Sequence, residues 1–443
     1  MPWPASWLTW RGEGMFWCEW AWLPEGPCQD VLFEVESGRI TAVRRAEAPG
    51  GARRLAGMVL PGLANAHSHA FHRALRGDTA RGTFWTWREA MYRVAARLDP
   101  DSYYLLARGV YAEMVRAGIT GVGEFHYLHH APGGARYRDP NAMSHALAQA
   151  AHDAGIRLTL LDTCYLAGGF GRELDEVQQR FSDVDAARWS ERAESFTAHE
   201  VVLGAAVHSV RAVPAEAIGE VAAWARDRKV PLHLHVSEQR AENEACLAAH
   251  GRTPVQLLAE RGAVGEDVTA VHATHLSAGD VALLGGSGTG VCLCPTTEAD
   301  LADGIGPAAA LQVAGSPLSL GSDGHSVIDV LAEAQAVEAY QRLANETRGH
   351  HAPGELLAMA TAHSAIGRPD AGRLEVGARA DFVSIDLGTP RLAGVAPQAV
   401  PAVARADDVR EVVTDGRTVV VDGAHTTIDI ARELRESITA LRS

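Results

Sequence analysis

The chain has 443 residues, 47% hydrophobic and 21% charged, a composition ordinary for a folded globular protein and too long for one simple core. A formal charge of −15 disfavours a nucleic-acid partner, and no apolar run reaches the 18 residues of a membrane-spanning helix. The opening stretch MPWPASWLTWRGEGMFW has no basic start and no apolar core before a cleavage site, so no secretory signal is read and a cytoplasmic protein is expected. Cys18, Cys28, Cys164, Cys246, Cys292 and Cys294 are scattered without a C-x-x-C pair, and reduced thiols are expected.

In chain order, the first expected elements are strands. VLFEVESGRITAVRRA holds two strand-like runs around a Ser37-Gly38 turn. Six of the ten tryptophans fall within the first 22 residues and are expected to pack this β region or a subunit contact. Eight apolar β-type runs follow, at 58–69, 119–127, 156–163, 201–209, 230–238, 268–275, 288–295 and 316–323. Between them lie Ala-, Arg- and Glu-rich helical stretches such as SYYLLARGVYAEMVRAG and VIDVLAEAQAVEAYQRLAN. The segment 165–183 is long and glycine-bearing and is expected to cover an active site. The end of the chain reads as β again: ARADFVSIDL is a strand pattern, and VREVVTDGRTVVVDG a hairpin turning at Asp415-Gly416. Eight β/α alternations imply an α/β fold, a (β/α)8 TIM-type barrel over 58–367. Residues 1–57 and 368–443 would form a small β-sandwich domain built from both chain termini.

In such barrels the reactive groups sit at the carboxyl ends of strands. The first run ends in His67-Ser68-His69; the fourth ends in His208, with Arg211 just after. The fifth carries His233 and His235 with Glu238 following, the sixth His272 and His275, and the eighth Asp323. Residues two apart on a strand share a face, so the H-x-H pair aims two imidazoles at one point. Imidazole nitrogen suits zinc or iron, and catalytic sites use three protein ligands plus water. His235 is nearer its strand end than His233 and is the better third nitrogen ligand; Asp323 offers an oxygen. Glu238 would lie at the barrel mouth, placed to shuttle a proton. Lys229, the only lysine, precedes the fifth run and so lies at the amino end of that strand. His129-His130 and His350-His351 read as loop residues rather than ligands, and Cys292 and Cys294 as small buried thiols.

PGLANAHSHAF, HLHVSEQ, VHATH and LGSDGH resemble the metal sites of the amidohydrolase superfamily, along the whole chain. FWTWREAMYRVAARL, EFHYLHH, HSVRAV and TTEADLADGI narrow the resemblance to its formimidoylglutamate deiminases. That resemblance implies one zinc held by His67, His69, His235 and Asp323, with iron the other candidate. Many binuclear members bridge their metals with a strand-end lysine, and Lys229 lies at the wrong end of the barrel, which favours one metal per chain and leaves a glutamate bridge open. It implies Glu238 as general acid/base, His272 hydrogen-bonded to the metal's water or to substrate, and Asp323 as a catalytic carboxylate as well as a ligand. Substrate contacts would fall on Arg88, Tyr127, His208 and Arg211, the two arginines serving the two carboxylates of N-formimidoyl-L-glutamate. The products would be N-formyl-L-glutamate and ammonia, a step of histidine degradation. His72 departs from the family pattern, which has glutamine there. It is expected where the chain turns away, not as a fourth ligand. If that glutamine holds substrate, His72 would do so through an N–H donor, and its protonation would tie binding to pH. A homodimer is expected, with no nucleic-acid or membrane partner. The rival readings are a deaminase of a purine, pyrimidine or adenosine-derived substrate, a hydrolase of an amide or chloro-substituted ring, and an inactive binding protein.

Overall fold

The computed structural model describes residues 12–78 and 81–442. One of its two eight-stranded sheets is parallel throughout and runs in chain order. Its strands are Leu63–Ser68, Ile119–His126, Arg157–Cys164, Val202–Ser209, Leu232–Val236, Val268–His272, Gly290–Leu293 and Leu318–Leu320. All but the fourth, whose first two residues are half-buried, lie buried along almost their whole length, which is why they read as unbroken apolar runs rather than alternating ones. The ring closes through a bridge between Ser68 and Asp323. There the Asp323 amide donates to the His67 carbonyl at 3.1 Å, and the His69 amide to the Asp323 carbonyl at 3.4 Å. This close approach requires Gly321, because a Cβ at that position would lie 2.7 Å from the His67 Cβ. The expected (β/α)8 barrel is the observed fold.

Helix Pro100–Arg116 shows how the outer layer arises. The Asp99 side chain accepts the Ser102 amide at 2.8 Å, and Pro100 presets the first turn. Leu106, Val110, Tyr111, Met114 and Val115 then recur at three- and four-residue spacing and are buried. Helix Ala215–Arg228 ends in left-handed Lys229 (φ 55°), immediately before the fifth strand. Lys229 therefore sits at the amino end of that strand, opposite the strand-end histidines.

The second sheet is built from both ends of the chain. Gly14–Leu23, Gly26–Glu36, Arg39–Arg45 and Arg53–Pro61 join Phe382–Ile385, Val409–Thr414, Arg417–Val421 and Ala424–His425. It is mixed: Gly14–Leu23 runs parallel to Arg53–Pro61, and the other pairs are antiparallel. Both foreseen hairpins turn at the foreseen residues. Ser37, Gly38, Asp415 and Gly416 all have positive φ, as two-residue hairpins of the favoured hand require. The sheet curls over a core containing Phe16, Phe33 and Phe382. Phe33 and Phe382, three strands apart in the sheet, bring their ring centres within 5.0 Å. Trp17, Trp20 and Trp22 lie on its first strand, whereas Trp3, Trp7 and Trp10 lie outside the described residues.

Two elements differ from expectation. The apolar run 58–69 is shared between the sheets: residues 58–61 complete Arg53–Pro61, and the barrel begins only at Leu63. Pro61-Gly62 marks the change, and Gly62 is needed there because a Cβ would lie 2.2 Å from Thr120 Oγ1. The last residues form a helix, Ile430–Arg442, rather than more β structure. Ile430, Leu434, Ile438 and Leu441 make its apolar stripe, and Arg108 Nε donates to Glu433 at 2.9 Å to hold it against Pro100–Arg116.

A buried ion cluster fastens the small domain to the barrel. Arg157 of the third strand donates to Asp381 Oδ1 at 3.0 Å and lies 3.2 Å from Asp415, while the Asp381 carbonyl accepts the Gly62 amide at 3.1 Å. The two aspartates offset the cost of burying this guanidinium, which would be strongly destabilising if left unpaired at this depth. All six cysteines are buried and unpaired. Among the described residues no helix is long and apolar enough to cross a membrane.

Candidate active site

The carboxyl ends of barrel strands one, five, six and eight converge. His69 Nδ1–H donates to the Phe125 carbonyl (2.9 Å) and His235 Nδ1–H to the His208 carbonyl (2.8 Å). A carbonyl can only accept, so both rings carry their proton on Nδ1 and present an Nε2 lone pair. His235 Nε2 lies 3.1 Å from His67 Nε2. Asp323 Oδ1 lies 3.4 Å from His67 Nε2 and 3.5 Å from His69 Nε2. Three imidazoles and a carboxylate thus point at one small volume, and His67, His69 and His235 form a group able to hold a metal ion. Two Nε2 lone pairs, the His67 Nε2 and the Asp323 carboxylate gathered this closely form a donor set that fits a divalent metal.

The backbone around this cluster is constrained. Ser237, His272 and Asp323 take left-handed φ values of 53°, 69° and 40°, which non-glycine residues adopt only when their surroundings hold them. Asn65 and Ser322 exchange two hydrogen bonds (2.7 and 2.9 Å), tying the first strand to the Asp323 turn. Ser68 Oγ donates to Glu124 at 2.6 Å and lies 3.2 Å from His325, which in turn bonds Ser322 at 2.9 Å.

Burial lowers the basicity of His67, His69 and His235, keeping them in the neutral form that binds metals. Burial alone would raise Asp323, but its hydrogen bond and proximity to His67 hold it well below the usual carboxylate range. Burial pushes the Glu238 carboxyl up to about 7, despite the nearby His272 and Arg211. Burial also opposes the charged form of His272, yet Glu238, Glu298 and Asp323 together raise it well above the ordinary imidazole range. His272 Nε2 lies 3.9 Å from Glu238 Oε1 and 3.8 Å from Asp323 Oδ2, while its Nδ1 lies 3.4 Å from Glu298 Oε1.

A pocket of about 580 Å³ opens above this cluster. Every residue expected to touch substrate lines it: Arg88, Tyr127, His208, Arg211 and His72. Arg88 projects from helix Phe84–Arg97, its guanidinium 4.6 Å from the Trp85 ring centre and 5.5 Å from that of Tyr92. Among the described residues no carboxylate pairs with Arg88. Arg211 differs, since its Nε donates to Glu242 at 2.6 Å. The segment 165–183 contributes Tyr165 and Phe181 to the pocket wall, and Gln178 donates to the hydroxyls of Tyr92 and Tyr165.

Residues 58–419 match the amidohydrolase family. The chain belongs to that family. An amidohydrolase crystal structure from Brucella melitensis superposes with a TM-score of 0.90 at 33% identity, covering 97% of this chain and all of that one. A formimidoylglutamate deiminase of Pseudomonas aeruginosa is 40% identical over 91% of this chain and 94% of its own length. A 5-methylthioadenosine/S-adenosylhomocysteine deaminase of Halobacterium salinarum is 30% identical over 88% of each chain. The amidohydrolase described here is accordingly a deaminase, a hydrolase of C–N bonds.

The His72 expectation needs correcting. The chain does not turn away there: a 3-10 turn, Ala70–Leu75, keeps His72 buried against the His69 ring, with Nε2 2.9 Å from the Tyr127 hydroxyl. Burial pushes its imidazole down to about 3, so the expected pH coupling through its protonation is lost. His72 also lies close enough to His69 and Asp323 to belong to a metal-binding group with them. His233 bonds the Ala365 carbonyl at 2.7 Å, and His275 the Asp303 carbonyl at 2.8 Å; neither lines the pocket. His129 and His130 lie in the loop after the second strand and in none of the metal-holding groups, as expected, but they are buried there: His129 lies near the Asp162–Arg192 pair, and His130 is paired with Asp183. Sequence reasoning missed Glu242 and Glu298. Glu242 follows Glu238 by one helical turn, the only hint of its direction. Nothing in the sequence pairs Glu298 with His272.

Proposed function

We propose that this amidohydrolase hydrolyses N-formimidoyl-L-glutamate to N-formyl-L-glutamate and ammonia, as one step in histidine breakdown. The observation that carries this reading is the presence of Arg88 and Arg211 in the pocket above the His67, His69, His235 and Asp323 cluster. A protein of net charge −15 has little reason to gather guanidinium groups in a pocket unless it binds an anion there. Two arginines suit a substrate with two carboxylates.

His67, His69, His235 and Asp323 would hold one divalent ion, and nitrogen-rich donors of this kind suit zinc. When bound, such an ion supplies Lewis acidity and lowers the pKa of water from 15.7 to roughly 7. The rest falls to the chain. Arg88 and Arg211 hold the carboxylates, with Tyr127, His208 and His72 closing around the substrate backbone. Glu238 takes a proton from the attacking water on its carboxylate and delivers it to the amidine nitrogen that leaves as ammonia. A buried carboxyl with a pKa raised towards neutrality suits both halves of that transfer. His272 donates from Nε2 to the oxygen added at the formimidoyl carbon. The aromatic wall of Trp87, Tyr92, Tyr127, Tyr165 and Phe181 favours one rival, a flat purine-like base. Such a substrate leaves Arg88 and Arg211 without a purpose.

Arg211→Ala separates the two. With N-formimidoyl-L-glutamate, KM is expected to rise about 100-fold, the scale of a lost charged hydrogen bond. An unchanged KM would remove Arg211 from substrate binding and count against the dicarboxylate.

A further inference from the structure

We infer that Glu242 is a positioning residue that aims Arg211 at the substrate and fastens it to the segment carrying Glu238. The inference rests on the dicarboxylate reading above. Glu242 is buried, with 2% of its surface exposed, in the first turn of helix Arg240–His250. Its two oxygens have different partners. Oε2 accepts Arg211 Nε–H at 2.6 Å, and Oε1 accepts the Ser237 amide at 2.9 Å.

Those partners come from different loops. Arg211 follows the fourth strand, in a turn held by Ala212 and Val213 amides on the Ser209 carbonyl (both 3.1 Å). Ser237 lies between His235 and Glu238 and has the left-handed φ of 53°. One carboxylate therefore spans the loop that binds substrate and the loop that moves the proton. With Nε committed to Glu242, the guanidinium plane of Arg211 is fixed, and its two terminal nitrogens are left for a ligand. A guanidinium held in advance binds a carboxylate without first losing its side-chain freedom. Arg88, stacked on aromatic rings with no carboxylate partner among the described residues, has no such clamp.

Glu242→Gln keeps size and shape but changes the chemistry at one end. The amide oxygen can still accept the Ser237 N–H, and the amide nitrogen then faces Arg211 Nε–H, donor against donor. The loop geometry is kept while Arg211 is released.

The test is a cycle of wild type, Glu242→Gln, Arg211→Ala and the double variant. Three quantities are read on the metal-loaded enzyme: KM and kcat for N-formimidoyl-L-glutamate, and Kd for N-formyl-L-glutamate by calorimetry. Glu242→Gln alone is expected to raise KM and Kd about ten-fold or more, with kcat falling less than KM rises. In the Arg211→Ala background it is expected to add less than about two-fold, because residues that act through one another are not additive. Equal effects in both backgrounds, or no effect on KM and Kd in the single variant, would overturn the inference. A wild type that binds N-formyl-L-glutamate yet fails to turn over the formimidoyl compound would refute the proposed reaction; the cycle read in Kd would still decide the role of Glu242. A wild type that binds no dicarboxylate would overturn both.

Discussion

Glu238→Gln is expected to lower kcat about 1,000-fold while the protein keeps its metal. The amide matches the carboxyl in size but can neither take a proton from water nor pass one to a leaving nitrogen. Glu238 is 7% exposed, so bulk water has poor access to replace it as a proton carrier. It belongs to none of the groups able to hold a metal, so metal content should not follow activity. Ammonia release and metal analysis on the same preparation check both statements. A kcat within ten-fold of wild type would move the proton transfer to another group, with His272, 3.9 Å away, the first candidate.

His235→Ala is expected to weaken metal binding by at least about 100-fold and to abolish turnover with it. Even residues that only orient ligands cost 10–100-fold when lost, and His235 supplies a nitrogen directly to the cluster. The control lies on the same strand. His233→Ala is expected to keep its metal, because His233 bonds the Ala365 carbonyl and does not reach the pocket. Metal analysis after dialysis against a weak chelator should give about one ion per chain for wild type and His233→Ala, and close to none for His235→Ala. Retention by His235→Ala would point instead to the overlapping group of His67, His272 and Asp323. Two tightly held ions in the wild type would contradict the single-metal reading drawn from Lys229.

The barrel was legible because each of its strands is short, apolar and separated by helical sequence. The point where one sheet yields to the other was not. The run 58–69 is apolar throughout, and hydropathy carries no sign that its halves pair with different neighbours. Pro61-Gly62 was the only punctuation. The C-terminal helix was hidden behind the strong hairpin signal before it, although its four-residue apolar spacing was there to count. In the site, strand periodicity alone was enough to pair His67 with His69 and to prefer His235 to His233. It could say nothing of His72, which a 3-10 turn folds back into the pocket. Nor could it find Glu242 and Glu298, whose partners lie 31 and 26 residues away in sequence. Such contacts follow from which loops meet at the barrel mouth, and local pattern does not encode them.

The most direct measurement is ammonia release by the zinc-loaded protein from a panel of N-formimidoyl-L-glutamate, guanine, cytosine and 5′-methylthioadenosine. A site whose polar groups are built for two carboxylates should reject ligands that lack them. The predicted result is a kcat/KM for the formimidoyl compound at least about 1,000-fold above every other member of the panel. Equal or better turnover of any of the three bases or nucleosides would contradict it.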